Sequence, residues 1–328
     1  MTTTRRSFLG LCSAALLQGA EPAPRVVDVH HHFYPSDYLA QLNRTESRSV
    51  PANNWSLAHS LEDMDAAGIA RAMLSISTPG VSFNDAAISR RLARYCNEYA
   101  ARVASDHKGR FGRFATLPWP DVDASLKEAE YALDTLKADG IGMLTSYGDK
   151  WFGDPDMAPL FEELNRRKAI VYTHPTSANC CRNLLTPDIA DSAIEYGTDT
   201  TRAIARTVFS GTSQKYPDIQ IIFSHAGGTM PFLVERFINL AKGQQYASKM
   251  PKGFEGEIDR FYYDTAQSSN AVAMAALKKV APVSQILFGT DYPFRTSAEH
   301  VKGLQECGVF TAAELKSIEE TNLARLLR

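Results

Sequence analysis

Short apolar runs alternate along this chain with longer stretches in which apolar residues return every three or four positions. The first rhythm is that of buried strands, the second that of amphipathic helices. Strands are predicted at Val26 to Val29, Ala70 to Ile76, Phe111 to Thr116, Gly140 to Leu144 and Ala169 to His174. Three more run from Ile219 to His225, from Asp259 to Tyr263 and from Ile286 to Asp291. Between them the periodicity predicts helices at Ser56 to Ala67, Asp85 to Asp106, Asp121 to Lys137, Met157 to Lys168, Thr200 to Gly211, Met230 to Leu240 and Ser269 to Val280. Ser56 and Ser269 are the expected N-caps, and Gly68 the expected stop of its helix. Helical turns are expected around Asp37 to Leu42, and helices at Val301 to Leu304 and Ala312 to Leu327 close the chain. Eight strand–helix units with right-handed connections make this an α/β chain, a single (β/α)8 TIM-type barrel. A doubly wound sheet would bring a glycine-rich phosphate turn after its first strand. Here the first strand runs instead into His30-His31-His32.

Barrels of this kind carry their sites at the C-terminal ends of the strands. His30 and His32 lie one strand step apart and face the same way, and His31 faces the other. His174, His225 and Asp291 each end a different predicted strand. Imidazoles with a carboxylate suit zinc, iron, nickel or copper, and leave one or two coordination positions for water or substrate. Zinc is the default for such a set and manganese its chief rival. His31 is read as structural or as a support behind the donors, and His59, His107 and His300 as surface or packing residues.

The chain has 328 residues, 44% hydrophobic and 22% charged, with a net charge of −2. No basic cluster points to nucleic acid, and no apolar run is long enough to span a bilayer. Five cysteines are too few for a disulfide scaffold of this size, and the adjacent Cys180-Cys181 read as reduced thiols. Thr4-Arg5-Arg6-Ser7-Phe8-Leu9, followed by the apolar run Gly10 to Leu17, has the pattern of a twin-arginine export signal. The signal is expected over residues 1–23, with the barrel at 24–328 and a periplasmic location for the mature protein. The twin-arginine route moves folded proteins and so suits a metalloenzyme loaded before export.

Four motifs, Asp28-Val29-His30-His31-His32, His174-Pro175, Ser224-His225-Ala226-Gly227-Gly228 and Gly289-Thr290-Asp291-Tyr292-Pro293, resemble those of the amidohydrolase-related decarboxylases. That group includes aminocarboxymuconate-semialdehyde decarboxylase and the gamma-resorcylate-type decarboxylases. Cys96-Asn97-Glu98-Tyr99-Ala100, the run Leu133 to Gly140 and the run Leu144 to Trp151 are most similar to 6-methylsalicylate decarboxylases. The resemblance extends from Val26 to Leu327. It implies one divalent metal held by His30, His32, His174 and Asp291, with His225 close by to orient or deprotonate a water or a substrate hydroxyl. Asp291 would also exchange a proton with the ring carbon. Two-metal relatives carry a carboxylated lysine after the fourth strand. Here Met143-Leu144-Thr145-Ser146 brings no lysine until Lys150, which implies a single metal.

Phe294, Tyr292, Trp151 and Phe83 follow strand ends and are candidates to hold an aromatic ring, with packing the preferred role for Tyr292. The resemblance also implies that Arg236 reaches into a neighbouring subunit's site across a homodimer. A second substrate-binding arginine of aminocarboxymuconate-semialdehyde decarboxylase is replaced here by Ser60, which favours a monocarboxylate such as a salicylate. The expected activity is therefore non-oxidative decarboxylation of a hydroxybenzoate-like acid. A lactone or amide hydrolase on the same site is the alternative, and a non-catalytic binding protein a third reading.

Overall fold

The computed structural model describes residues 26–45 and 50–328, so the export signal expected over residues 1–23 lies outside the described residues. The parallel strands are β1 (Val26–His32), β2 (Ile69–Ser75), β3 (Phe111–Thr116), β4 (Gly140–Leu144), β5 (Ile170–His174), β6 (Gln220–Phe223), β7 (Tyr262–Asp264) and β8 (Ile286–Leu287). Each pairs with its neighbour in sequence. The ring closes where the chain beyond β8 meets β1. Val29 N–H donates to Phe288 O at 2.9 Å, Asp291 N–H to His30 O at 2.8 Å and His32 N–H to Tyr292 O at 2.9 Å. This is the barrel that the sequence predicts.

Around it lie α1 (Leu57–Ala66), α2 (Ala86–Asp106), α3 (Val122–Glu130), α4 (Ala158–Arg166), α5 (Asp191–Phe209), α6 (Met230–Ala241), α7 (Ala271–Val280) and α8 (Ser297–Glu306). Ser56 caps α1 by accepting from His59 N–H, and Asp85 and Asp121 cap the next two helices in the same way. The outer faces of the strands pack on the helices through Ile141, Val171, Ile221, Leu92, Leu160 and Ile204. The barrel interior is filled by Val29, Met73, Phe114, Tyr172, Ile222 and Leu287, and Leu323 from the final helix closes the bottom.

Several boundaries differ from the sequence reading, each for a tertiary reason. The helix expected at Thr200 begins at Asp191, and Gly197 lies inside it. A side chain at Gly228 would meet Gly197 O at 2.0 Å, so the weak helix-former Gly197 sits at a close backbone crossing. Asn270, rather than Ser269, caps α7 by accepting from Val272 and Ala273 N–H. Asp259 ends a helix, Gly253–Ile258, and β7 starts only at Tyr262. The helix expected over Asp121 to Lys137 ends in a wider turn at Tyr131–Thr135. A two-stranded ribbon, Ser146–Tyr147 with Lys150–Trp151, follows β4 with no sequence signal to announce it.

β1 carries the most consequential departure. Val27 and Val29 face the barrel interior, and simple alternation would send His31 after them. The pairing register with β2 slips between Asp28 and His31. That irregularity changes the phase of the strand, so His30 and His32 turn inward and His31 outward. Asp28 then sits against the seam of the barrel. Its carboxylate accepts from His30 N–H (2.9 Å), Thr290 N–H (3.0 Å), Thr290 Oγ1 (2.6 Å) and His31 Nδ1 (3.0 Å). His31 Nε2 pairs in turn with Ser60 Oγ at 2.7 Å, and its ring stacks on Tyr292 at 4.6 Å. His31 and Tyr292 are thus packing residues, as expected.

Asp28→Ala strands several buried donors at once. It should lower stability by on the order of 3 kcal/mol, read as a fall in the urea midpoint with the slope unchanged.

Candidate metal centre

Three strand ends converge at the C-terminal mouth. His30 and His32 come from β1, His174 ends β5, and Asp291 follows β8. All four are buried, and their donor atoms lie within 4.8 Å of one another. Each histidine is turned by a partner behind it. His30 Nδ1 donates to Asp264 Oδ2 at 2.9 Å, His32 Nδ1 to Ser75 O at 3.2 Å and His174 Nδ1 to Pro175 O at 2.8 Å. With every Nδ1 engaged, every Nε2 lone pair points at the common centre.

Those lone pairs crowd one another. His30 Nε2 and His32 Nε2 are 3.0 Å apart, and Asp291 Oδ1 stands 3.0 Å and 2.9 Å from them. His174 Nε2 is 3.8 Å from the same oxygen and has no hydrogen-bond partner. Tetrahedral ligands at zinc–nitrogen distances would stand about 3.3 Å apart, so this donor set fits a divalent cation. The electrostatics agree. Burial opposes ionisation of Asp291, but the charge on His30 and the imidazole nitrogens of His174, His225 and His30 gathered around it outweigh that and hold the carboxyl well below its usual range. Burial holds His32 and, more strongly, His174 below the ordinary imidazole range, so both stay neutral and able to ligate. Burial also opposes charge on His30, yet Asp264 and Asp291 push it up to about 10. The acidic surroundings that draw a proton to that nitrogen draw a cation as well.

His225 stands beside this group. Its ring stacks on His30 at 5.1 Å, and its Nε2 is 3.4 Å from Asp291 Oδ2 with no hydrogen-bond partner. His225, Ala226 and Asp291 all hold left-handed backbones, at φ +53°, +56° and +62°. Such conformations cost about 1–3 kcal/mol for residues other than glycine and gather at sites where aim matters. Lys150 is exposed and pairs with Asp156, so no lysine reaches the metal donors from the end of β4. Thr145 and Ser146 there bind Asp199 instead, at 2.5 Å and 2.8 Å.

Of the aromatic candidates, Phe294 comes to the donors, its ring 5.9 Å from that of His32. Trp151 is tied by its indole N–H to Asp199 at 2.6 Å. Phe83 packs on Tyr38 at 6.0 Å. Arg236 lies on the exposed side of α6, and no ion pair holds it among the described residues. Sequence reasoning passed over Asp264, Gln267, Tyr34 and Tyr196. Asp264 ends β7, so the strand-end rule that found the other acid could have found it. Its Oδ1 accepts from His225 N–H at 2.8 Å while Oδ2 holds His30, which links two strand ends in one carboxylate. Tyr34 follows His32 by two residues and has a buried hydroxyl without a partner. The ring of Tyr196 lies 6.4 Å from that of His174.

The family model described as Amidohydrolase matches residues 27–328. A decarboxylase of Aspergillus niger, yanB, is 38% identical over 283 residues, which is 82% of this chain and 77% of that protein. The 6-methylsalicylic acid decarboxylase of Penicillium expansum is 34% identical over 304 residues, 90% of this chain and 91% of that one. The fold is shared with a dihydroxybenzoic acid decarboxylase of Polaromonas sp. JS666, solved with bound manganese and 2-nitroresorcinol. Its TM-score is 0.77 at 21% identity, over 92% of this chain and 96% of that one.

The donor geometry predicts one divalent ion per chain in purified protein, measured by elemental analysis. His32→Ala or His174→Ala should lose it, whereas His225→Ala should keep it. Asp264→Asn should weaken metal affinity about 10- to 100-fold in chelator competition, because His30 loses the partner that aims it.

Proposed function

We propose that this chain, which belongs to the amidohydrolase family, is a metal-dependent carboxy-lyase that removes CO2 from a hydroxybenzoate-like aromatic acid without oxidation. The observation that carries this reading is the division of labour within Asp291. Its Oδ1 lies among the histidine nitrogens, and its Oδ2 lies outside them, next to His225. One carboxylate can then ligate through one oxygen and handle a proton through the other. The two decarboxylase relatives at 34% and 38% identity support the same chemistry.

When bound, the divalent ion supplies Lewis acidity that polarises and orients the carboxylate and ortho-hydroxyl of the substrate. The remaining work falls to side chains of this chain. Phe294, beside His32, supplies an apolar wall for the aromatic ring. Asp291, ionised at rest, takes up a proton at Oδ2 by way of His225 and delivers it to the ring carbon that bears the carboxylate. The carbon–carbon bond breaks, its electron pair stays with the ring, and CO2 leaves from the carbon that has taken the proton. His225 Nε2, 3.4 Å from Oδ2, is placed to restore the proton for the next turnover.

Finer assignments complete the proposal. The substrate is a monocarboxylate of the 6-methylsalicylate type, because position 60 is a buried serine bonded to His31 rather than an arginine. Zinc is the resident metal on the strength of three histidines and one carboxylate, with manganese as the rival. Arg236, exposed on α6, serves the substrate from a partner subunit in a homodimer. The Arg5-Arg6 segment directs the folded protein to the periplasm. Sedimentation of the purified protein tests the dimer, and Arg236→Ala should raise KM while leaving kcat near that of the parent.

Metal-loaded protein should convert 6-methylsalicylate or a related hydroxybenzoate to CO2 and the phenol. Asp291→Asn should reduce that turnover by at least about 100-fold. Absence of CO2 from every hydroxybenzoate at full metal content would transfer the assignment to hydrolysis of a lactone or amide on the same donors.

A further inference from the structure

The mechanism above leaves one side chain at the mouth of the site unused. Gln267 lies three residues beyond the end of β7, in a left-handed backbone at φ +54°. For a glutamine that conformation costs about 1–3 kcal/mol and brings no local benefit. What it achieves is aim. Gln267 Nε2 donates to Asp291 Oδ2 at 2.9 Å, although Gln267 itself is exposed.

A carboxylate is poorly fixed by its own bonds. The last torsion of an aspartate is broad and nearly two-fold, so nothing intrinsic fixes the angle at which its plane meets the histidines. Around Asp291 the two oxygens are treated unequally. Oδ1 stands 3.0 Å and 2.9 Å from the Nε2 atoms of His30 and His32. Among the described residues, Oδ2 has only His225 Nε2, at 3.4 Å, and Gln267 Nε2, at 2.9 Å. The longer of these contacts is too weak to hold a rotation, so the angle is left to Gln267.

We propose that Gln267 is a positioning residue that locks the rotation of the Asp291 carboxylate, so that Oδ1 alone meets the metal-binding nitrogens and Oδ2 is kept for the substrate. The proposal rests on the decarboxylase reading for its catalytic consequence, but the lock itself is a matter of geometry. An amide suits the task because it donates without adding charge beside the donor set. Its exposed position lets it hold Oδ2 from the open side of the site, where a substrate ring arrives. No metal ligand is displaced by removing it, so its effect is separable from loss of the ion.

The test uses Gln267→Met, which keeps length and loses the donor, and Gln267→Ala as a second variant that adds no new bulk. Parent and variants are saturated with Mn2+ and assayed with 6-methylsalicylate and other hydroxybenzoates. The variants should show kcat lower by about 10- to 100-fold with KM within about 3-fold of the parent, a deficit that extra Mn2+ does not repair. Crystals of the Mn2+-loaded variants should show the Asp291 carboxylate turned from its parent rotation. Parent-like kcat, recovery at saturating Mn2+, a change in KM alone, or an unmoved carboxylate would each overturn the lock. If the parent itself releases no CO2, the decarboxylase reading fails, and the carboxylate rotation in the crystals still decides the role of Gln267.

Discussion

The seam between the last strand and the first governs this molecule. His32 and Asp291 are 259 residues apart in sequence, yet their donor atoms must meet at 2.9 Å. Only closure of the barrel brings them there, and a buried carboxylate fastens the seam beside its backbone hydrogen bonds. Asp28 binds the backbone and hydroxyl of Thr290 on one side and His30 and His31 on the other. A slip of one residue at this seam would exchange the inward and outward faces of β1 and scatter the donors. The barrel therefore positions the site through the register of one strand pair more than through its bulk packing.

Once the seam is set, the second layer does the aiming. Asp264, Ser75 and Pro175 each take up the Nδ1 of one histidine, so the three Nε2 atoms have no alternative to the centre. The result is a pocket of lone pairs at close quarters, unfavourable by itself and favourable around a cation. Asp264 works twice, since its other oxygen fixes the backbone of His225. The strained backbones at His225, Gln267 and Asp291 belong to the same account. Rigid barrel packing offsets their cost, and the return is direction.

The site is also asymmetric in a way that fits lyase chemistry. One side is closed by the histidines and their partners. The other presents Asp291 Oδ2, His225, Gln267 and the ring of Phe294. Near the end of β4, Asp199 gathers Thr145, Ser146 and Trp151, the region where two-metal members of the family place a lysine. In this chain that corner is devoted to holding a ribbon in place.

The sequence by itself determined the alternation of strands and helices, hence the barrel, because periods of two and of three to four residues are local properties. It also singled out the four side chains that the structure brings together, since each ends an apolar run and the fold class sends such ends to one face. Beyond that its reach stopped for identifiable reasons. The slip in β1 that turns His31 outward depends on pairing with β2, and the start of α5 depends on a backbone crossing at Gly228. Asp264 and Gln267 gain their roles from neighbours on other strands, and no spacing along the chain encodes those neighbours. Phe294, Trp151 and Phe83 looked alike in sequence, and only packing separated the ring beside His32 from the one tied to Asp199 and the one against Tyr38. Donor identity was written locally, whereas donor direction was decided by contacts between distant segments.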